Sequence, residues 1–279
     1  MMIEEIIIEK ISKKFKEEAG IVFRDCDLNF LKHKITEHLK LLGISSIREY
    51  FEKMIINNEI DKELDRLFML VINKESYFFR YKEQFELLKD VVLPEIILRK
   101  YEFEDKTIKI WSAGISRGEE PYTIAMVLED SGYLPKNELL YKIISTDIVE
   151  KNIKFAQKGE YDENIIKKSF KNFNNEYLLK YFISKNGSYF IKDELKSKVE
   201  FKVHNLIKDP YFQVMDIIFC RNVIIYFDDN DKEKVLKKLV DTLVPGGYLF
   251  LGHSETPFCC SDIMRPIFGK NAVCYKKVK

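Results

Sequence analysis

Short apolar segments that alternate with helical segments constrain the fold of this chain more than any other feature of its sequence. They are residues 108–113, 143–146, 199–203, 216–220 and 248–251. Between the last two, a helix is predicted to begin near Asp229, to carry Leu243 on its apolar face, and to stop at Pro245-Gly246-Gly247. Alternation of this kind is typical of an α/β fold with a mostly parallel sheet.

Two regions depart from the alternation. Residues 1–72 have a helical pattern, in which one face is formed by Leu28, Leu31, Ile35, Leu39 and Leu42. Further on, two aromatic segments flank Asn186-Gly187, and Asn-Gly is a strong signal for a hairpin turn. The sequence therefore predicts an all-helical N-terminal domain at 1–72, a linker and connecting helix at 73–107, and an α/β domain at 108–279 with a small antiparallel β insertion at about 160–200.

Composition excludes several classes of protein. The chain has 279 residues and a formal net charge of +1, which does not favour the strong basic stripe that a nucleic-acid-modifying enzyme needs. No stretch approaches the roughly 20 apolar residues of a membrane span, so we expect a cytoplasmic protein without membrane insertion. Five cysteines without a CxxC pair indicate reduced thiols, and no metal site is expected.

A glycine-containing turn follows the first strand and leads into a helix. Its glycines, Gly114 and Gly118, match neither the spacing of dinucleotide binders nor a P-loop. Glu119 and Glu120 would repel a pyrophosphate, whereas S-adenosylmethionine has no phosphate and carries an amino group and a sulfonium. The turn therefore favours S-adenosylmethionine, although the two acids are equally explained as charges that stabilise a helix N-terminus.

An acidic residue, Asp147, ends the second strand. A carboxylate at the carboxyl edge of a parallel sheet can accept hydrogen bonds from both hydroxyls of a ribose. The alternative is a capping role for the helix predicted from about residue 149. Asp147 is thus a second indication of an adenosine ligand.

Five ordered motifs resemble those of the chemotaxis receptor methyltransferase (CheR) family, and together they extend over nearly the whole chain. They are residues 76–80 (SYFFR), 110–122 (IWSAGISRGEEPY), 204–206 (HNL), 219–227 (FCRNVIIYF) and 251–255 (LGHSE). The resemblance implies a helical N-terminal domain, a linker that contributes to the cofactor site, and a Rossmann-like S-adenosylmethionine-dependent methyltransferase domain with a small antiparallel subdomain.

The resemblance also implies site residues, carried over position by position. Ser76 and Arg80 would hold the methionine end of the cofactor with Glu119 nearby, Asp147 would bind the ribose, and Asn205 and Leu206 would line the adenine. Arg221 and Asn222 would lie beside the cofactor and the entering carboxylate, with Arg221 and Tyr226 as the catalytic residues. The implied cofactor-binding set is Ser76, Arg80, Gly114, Glu119, Asp147, Asn205, Leu206, Arg221 and Asn222.

The resemblance implies the formation of glutamate methyl esters on the cytoplasmic helical domain of chemotaxis receptors, through which the protein would be recruited to receptor arrays. Nothing in the sequence demands more than a monomer, and we expect one. A glutamate is already ionised at pH 7, so methyl transfer requires neither a general base nor a metal. Lys32, Lys34 and Lys40 give one helix a basic flank that could meet an acidic receptor helix, although a mixed solvated surface explains these charges better.

Three alternatives remain open at the level of sequence. Lys74 stands where the family's linker motif usually has Asn, and Ile115 and Arg117 replace its small Cys and Thr in the glycine loop. These departures leave room for a scaffold or sensor that binds the cofactor without transferring methyl groups. The others are a methyltransferase for another acceptor and a nicotinamide dehydrogenase, which the glycine spacing disfavours.

Overall fold

A computed structural model describes residues 2–23, 25–56, 66–67, 70–71, 76–102, 105–136, 138–171, 176–212 and 214–278. The chain divides into two compact units, of which the first comprises Met1–Glu75 and Tyr226–Lys232 and the second Ser76–Ile225 and Glu233–Lys279. Lys74 and the predicted boundary at 72–73 lie outside the described residues. No described helix is both long and apolar enough to cross a membrane.

Between residues 2 and 56, the first unit contains three helices. They are α1 (Met2–Ala19), α2 (Asp25–Leu42) and α3 (Ile47–Ile56). Leu31, Ile35 and Leu39 recur at helical spacing along α2 and are buried, whereas Leu28 is half-buried and Leu42 is exposed, so the predicted apolar face is confirmed at its centre and is wrong at Leu42. Gly20 and Gly43 follow the first two helices with positive φ angles of 70° and 66°, a conformation in which glycine ends a helix without strain.

The second unit contains a seven-stranded sheet in the order β6-β2-β1-β7-β8-β10-β9. The first five strands in this order are parallel to one another. Strand β10 runs antiparallel to both of its neighbours, β8 and β9. The strands are β1 (Thr107–Ala113), β2 (Leu140–Asp147), β6 (Val199–Val203), β7 (Met215–Cys220), β8 (Leu243–Leu251), β9 (Met264–Gly269) and β10 (Ala272–Lys277). This arrangement confirms the predicted α/β fold.

Helices connect these strands. Before β1, residues 82–102 are helical throughout, with a π-helical turn at Leu88–Val92 between α4 (Lys82–Leu87) and α5 (Leu93–Glu102). The others are α6 (Glu119–Asp130), α7 (Tyr133–Lys136), α8 (Glu150–Lys158), α9 (Glu163–Phe170), α10 (Glu176–Tyr181), α11 (Asp193–Lys196) and α12 (Asp229–Thr242), with 3₁₀ turns at Ile224–Tyr226 and Phe258–Cys260.

One sequence-based boundary is wrong. Helix α12 ends at Thr242, so Leu243 and the Pro245-Gly246-Gly247 stop signal lie inside β8 rather than at the end of the helix. The strand accommodates Pro and two glycines because its pairing with β7 is irregular there, between Met215 and Ile217. A bulged strand tolerates the missing N–H of proline, which a regular central strand does not.

A small three-stranded antiparallel sheet, in the order β3-β5-β4, forms the predicted insertion. Its strands are β3 (Glu160–Asp162), β4 (Phe182–Lys185) and β5 (Ser188–Ile191). Asn186 and Gly187 both have positive φ angles, 52° and 77°, which a two-residue hairpin of the favoured twist requires. The Asn-Gly signal therefore identified this hairpin correctly.

The five parallel strands end at one edge of the large sheet. Ala113 at the end of β1 pairs with Thr146 of β2 on one side and with Cys220 of β7 on the other, and Cys220 pairs with Leu251 of β8. The chain runs from β1 to β2 and on to β6 on one side, and then crosses to β7 on the other side of β1. Such a reversal of strand order opens a ligand crevice at the carboxyl ends of the strands. Four of the five sequence motifs begin at or run past these strand ends.

Candidate functional site

The turn after β1 lies close against its neighbours. The backbone N–H groups of Gly114 and Ile115 donate to the carbonyl of Thr146 at 2.7 and 3.1 Å, which fixes the turn to the end of β2. Gly114 has a φ of 74°, and a Cβ atom there would lie 2.4 Å from Cγ2 of Val223. Glycine is therefore required at this position for both conformation and space.

Asp147 organises the same turn from the end of β2. Its Oδ2 accepts from the N–H of Ser116 at 2.8 Å, and its Oδ1 accepts from the N–H of Val149 at 2.9 Å and from Nδ2 of Asn152 at 3.1 Å. Burial raises the pKa of Asp147, while these donors lower it. A carboxylate has about four lone-pair sites, so roughly one remains for a ligand. The N-cap residue of α8 is Val149, and no side chain caps this helix, so the capping alternative is wrong: Asp147 fixes the turn that precedes the helix, and ribose binding stays a prediction.

Glu119, in the first turn of α6, is fully buried. Neither of its carboxylate oxygens has a hydrogen-bond partner among the described residues. Burial raises its pKa, and the nearby Ser76 hydroxyl lowers it only in part. A charge that served only the helix dipole would remain in water, so this buried acid is available to a ligand, and a cationic group there would stabilise its ionised form.

Glu120 was not among the sequence-predicted site residues, and the structure places it in a buried pair. Its Oε2 lies 3.3 Å from Nη1 of Arg221, and its Oε1 accepts from the Ser112 hydroxyl at 2.7 Å. Burial raises the pKa of Glu120, and Arg221 lowers it. The pair connects the start of α6 with the end of β7. Its only sequence signal was the doubled acid after Gly118.

Arg221 follows β7 and is 6% exposed. Its Nη2 donates to the backbone carbonyl of Arg80, which connects the linker motif to the sheet edge. Its Nε is buried and has no hydrogen-bond partner among the described residues. Burial lowers the pKa of Arg221, and the Glu120 carboxylate raises it. The guanidinium therefore remains able to donate one more hydrogen bond to a ligand.

Glu255 holds the segment that follows Arg221. It is 4% exposed, and its carboxylate accepts from the N–H groups of Gly252, Asn222 and Ile225 at 2.6, 2.9 and 3.3 Å. Burial raises its pKa, and these backbone donors lower it. Asn222 has a φ of 59°, so the bonds keep it in an uncommon conformation. The sequence motif at 251–255 contained Glu255, but its role became visible only from these contacts.

Asn205 and Leu206 follow β6. The N–H of Asn205 donates to Oδ2 of Asp209 at 2.7 Å, and its side-chain oxygen accepts from the N–H of Ile207 at 2.9 Å. Leu206 is buried, and its carbonyl accepts from the Tyr211 hydroxyl at 2.8 Å. These bonds fix the turn at the strand end, and the predicted adenine contact stays a prediction.

The structure brings together Ser76 with Glu119, and Arg80 with Arg221. Tyr226 belongs to the first unit, where its carbonyl accepts from the N–H of Val22 at 2.9 Å. Its place beside the transferable methyl group therefore stays a prediction. In the described ranges, no three His, Cys, Asp or Glu side chains come together as metal ligands.

Two buried groups without protein partners suit this chemistry. S-adenosylmethionine ends in an amino acid, whose ammonium matches the Glu119 carboxylate, and the Nε–H of Arg221 is left for an entering carboxylate. Gly114 is exposed and lacks a side chain, so a ligand can approach its backbone closely. The residues present therefore suit this group in charge and in shape.

Comparisons with known proteins show which proteins this chain resembles. Residues 74–272 match the family model for the CheR methyltransferase, SAM binding domain. The chain is 34% identical to the chemotaxis protein methyltransferase of Borreliella burgdorferi, over 89% of this chain and 87% of that protein. It is also 34% identical to chemotaxis protein methyltransferase 2 of Vibrio cholerae, over 95% of this chain and 91% of that protein. The structure of the N-methyltransferase NodS of Bradyrhizobium japonicum, solved with S-adenosyl-L-homocysteine, is 12% identical in sequence with a TM-score of 0.37, over 71% of this chain and 93% of that chain.

Proposed function

This chain belongs to the CheR methyltransferase family and binds S-adenosylmethionine, and we propose that it forms methyl esters on glutamate side chains of chemotaxis receptors. The observation that carries the proposal is the pair of buried groups without protein partners, the Glu119 carboxylate and the Nε–H of Arg221, at the carboxyl edge of a parallel sheet. The names of the relatives support the class of receptor.

Bound S-adenosylmethionine supplies a methyl carbon that is activated by a sulfonium. Glu119 would bind the ammonium of the cofactor, and Asp147 would keep the glycine turn in the shape that admits its ribose. Arg221 would orient an entering carboxylate by a charge-assisted contact. Because a glutamate is ionised at pH 7, the protein need only align the reacting atoms and exclude water. This explains why no side chain is required to remove a proton.

The receptor partner is proposed from the chemistry of the surface that would meet it. Helix α2 carries lysines on its surface, but Lys34 lies 2.8 Å from Glu37 and Lys32 lies 3.2 Å from Glu4. Exposed pairs of this kind contribute little energy and exchange readily with another acid. The contacts favour a mixed solvated surface over a dedicated basic patch. We propose that the catalytic unit acts as a monomer on the cytoplasmic helices of the receptor.

The experiment combines binding and transfer on one sample. Calorimetric titration with S-adenosylhomocysteine measures the site, and tritiated methyl transfer to membranes that bear chemoreceptors measures the reaction, with base-labile counts scored as ester. We expect both in the wild-type protein and the loss of both in Asp147→Ala. Glu119→Gln should weaken binding about tenfold or more because it removes one partner of a buried charge pair.

A matched control and two contrary outcomes complete the design. Glu163→Gln changes an exposed acid in the first turn of α9 and should leave binding and transfer unchanged. Binding without base-labile label would indicate a different acceptor or a scaffold. Absence of S-adenosylhomocysteine binding in the wild-type protein would refute the proposal.

A further inference from the structure

Several charged and aromatic groups converge on the ring of Tyr81, which lies just after the linker motif. The guanidinium carbons of Arg80 and Arg221 each lie 5.2 Å from the centre of this ring. Arg221 also lies 5.1 Å from the centre of the Phe85 ring. The His253 ring meets Tyr81 edge to face, with 3.9 Å between the ring centres. Tyr81 therefore contacts two of the predicted site residues at once.

The electrostatics of this cluster require such a ring. Arg80 and Arg221 carry like charges, and Arg221 is buried. Burial and Arg80 both lower the pKa of Arg221, against the attraction of Glu120. The face of an aromatic ring carries negative potential and attracts a guanidinium, most strongly where water is excluded. The rings of Tyr81 and Phe85 thus supplement the Glu120 carboxylate in stabilising the buried cation.

The backbone of this segment is also unusual. Phe79 and Tyr81 have φ angles of 59° and 62°, in the left-handed region that bulky residues rarely adopt. Phe79 is locked by burial and by its N–H, which donates to the Thr123 hydroxyl at 3.2 Å. Such a conformation persists only where surrounding contacts impose it, and it is concentrated at functional sites. The strain in this segment presents the Arg80 carbonyl to Nη2 of Arg221.

We propose that Tyr81 is a positioning residue, whose ring fixes the guanidinium of Arg221 in the orientation that a carboxylate substrate meets. The ring acts through Arg221 and does not itself contact the reacting atoms. The kinetic consequence of this inference rests on the proposed function, whereas the orientation of Arg221 does not.

The test compares a substitution that keeps the ring with one that removes it. Tyr81→Leu should lower kcat/KM for receptor methylation about tenfold, because it removes a desolvated cation–π contact. Tyr81→Phe keeps the ring and should restore most of the rate. In NMR spectra of arginine-labelled protein, the Nε–Hε signal of Arg221, assigned with Arg221→Lys, should shift in Tyr81→Leu, since it loses the ring current, and should remain in place in Tyr81→Phe.

Tyr275→Leu is the matched control, because Tyr275 is another half-buried tyrosine, on β10. It should leave the Arg221 signal and the methylation rate unchanged at a comparable unfolding temperature. An Arg221 signal that stays in place in Tyr81→Leu would overturn the proposal, and so would a Tyr81→Phe variant as slow as Tyr81→Leu. If the wild-type protein methylates no receptor, the proposed function fails, while the NMR signal still decides the role of Tyr81.

Discussion

Gly114 shows how much one residue decides at this site. We predict that Gly114→Ala weakens binding of S-adenosylhomocysteine and lowers the free energy of unfolding, because its Cβ would meet Val223 and its φ would be strained. Gly132→Ala is the control, since Gly132 has a similar φ of 70° but open space around it. Calorimetry and urea unfolding should place Gly114→Ala about 1–3 kcal/mol below Gly132→Ala. Equal stability and equal binding would show that the turn relaxes freely.

We predict that replacing Glu119 by Gln raises the free energy of unfolding but weakens cofactor binding. Its pKa in the folded protein is raised above the ordinary value of 4.5 by burial. A raised carboxyl pKa means that stability is greatest below the unfolded pKa and is lost as pH rises through the folded pKa. Without ligand, Glu119→Gln should therefore be more stable than wild type at pH 7, by about 1 kcal/mol or more, although it binds the cofactor more weakly.

Urea unfolding at several pH values checks this prediction. The difference in free energy of unfolding between Glu119→Gln and wild type should shrink as pH falls to and below the unfolded pKa, where the wild-type carboxyl is protonated in both the folded and the unfolded state. Glu163→Gln, at an exposed position, should show no such trend. A Glu119→Gln protein that is less stable than wild type at pH 7 would contradict the burial of an unpaired charge.

At the scale of residues, the sequence alone identified candidate site residues but missed the hydrogen-bond and ion-pair partners that the fold gives them. Asp147, Glu119 and Arg221 could be named because strand ends and a family resemblance point to them. Glu120 and Glu255 could not, since their roles depend on which N–H and guanidinium groups the fold brings within reach. A buried carboxylate that collects distant backbone donors leaves no local pattern in the sequence.

Among the elements, α5 and β7 are joined by a buried ion cluster at the edge of the sheet opposite the site. Asp216 is paired with Arg99 and lies 2.8 Å from Nζ of Lys100, and it also accepts from the N–H of Lys109 at 2.8 Å. Asp216→Asn would leave Arg99 without a carboxylate partner in a largely buried place, while Lys100 would keep Asp105 at 2.5 Å. We predict a loss of about 3–5 kcal/mol in the free energy of unfolding, measured in urea.

Asp193→Asn is the control for that measurement, because the Asp193 side chain is fully exposed although it faces Lys196 at 3.7 Å. It should change stability by less than about 0.5 kcal/mol. Cofactor binding should be unchanged in Asp193→Asn. An Asp216→Asn protein as stable as wild type would mean that water or a neighbouring side chain replaces the lost charge.

Element boundaries were predictable where local signals and long-range pairing agree. The Asn186-Gly187 hairpin, the helices of the first unit and the five parallel strands follow from periodicity and turn residues. The end of α12 could not be predicted in this way. By local preference Pro245-Gly246-Gly247 stops a helix, but in the structure the same residues form an irregular part of β8, where it pairs with β7. The strands β9 and β10 pair antiparallel at the far edge and were also missed.

For the whole molecule, the fold class could be inferred because each level of the sequence agrees on it. Apolar segments, glycine turns and the ordered motifs all place a ligand crevice at the carboxyl ends of parallel strands. The linker motif lies more than 100 residues before Arg221, yet the Arg80 carbonyl meets its guanidinium. Contacts between such distant segments need the folded structure, and we infer that a bound cofactor would bridge parts of the second unit.

Hydrogen exchange with and without S-adenosylhomocysteine tests this bridging. Because a ligand that binds only the native state stabilises it, by about 2.7 kcal/mol at 100 times Kd, it should slow exchange throughout the cooperative unit. Amides that open locally should respond most where the ligand contacts them. We expect the largest additional protection at residues 76–81, 114–119 and 221–222, and little local change in β9, at the far edge of the sheet. Protection confined to 114–119 would show that the linker motif does not take part in binding, and would limit the site to the turn after β1.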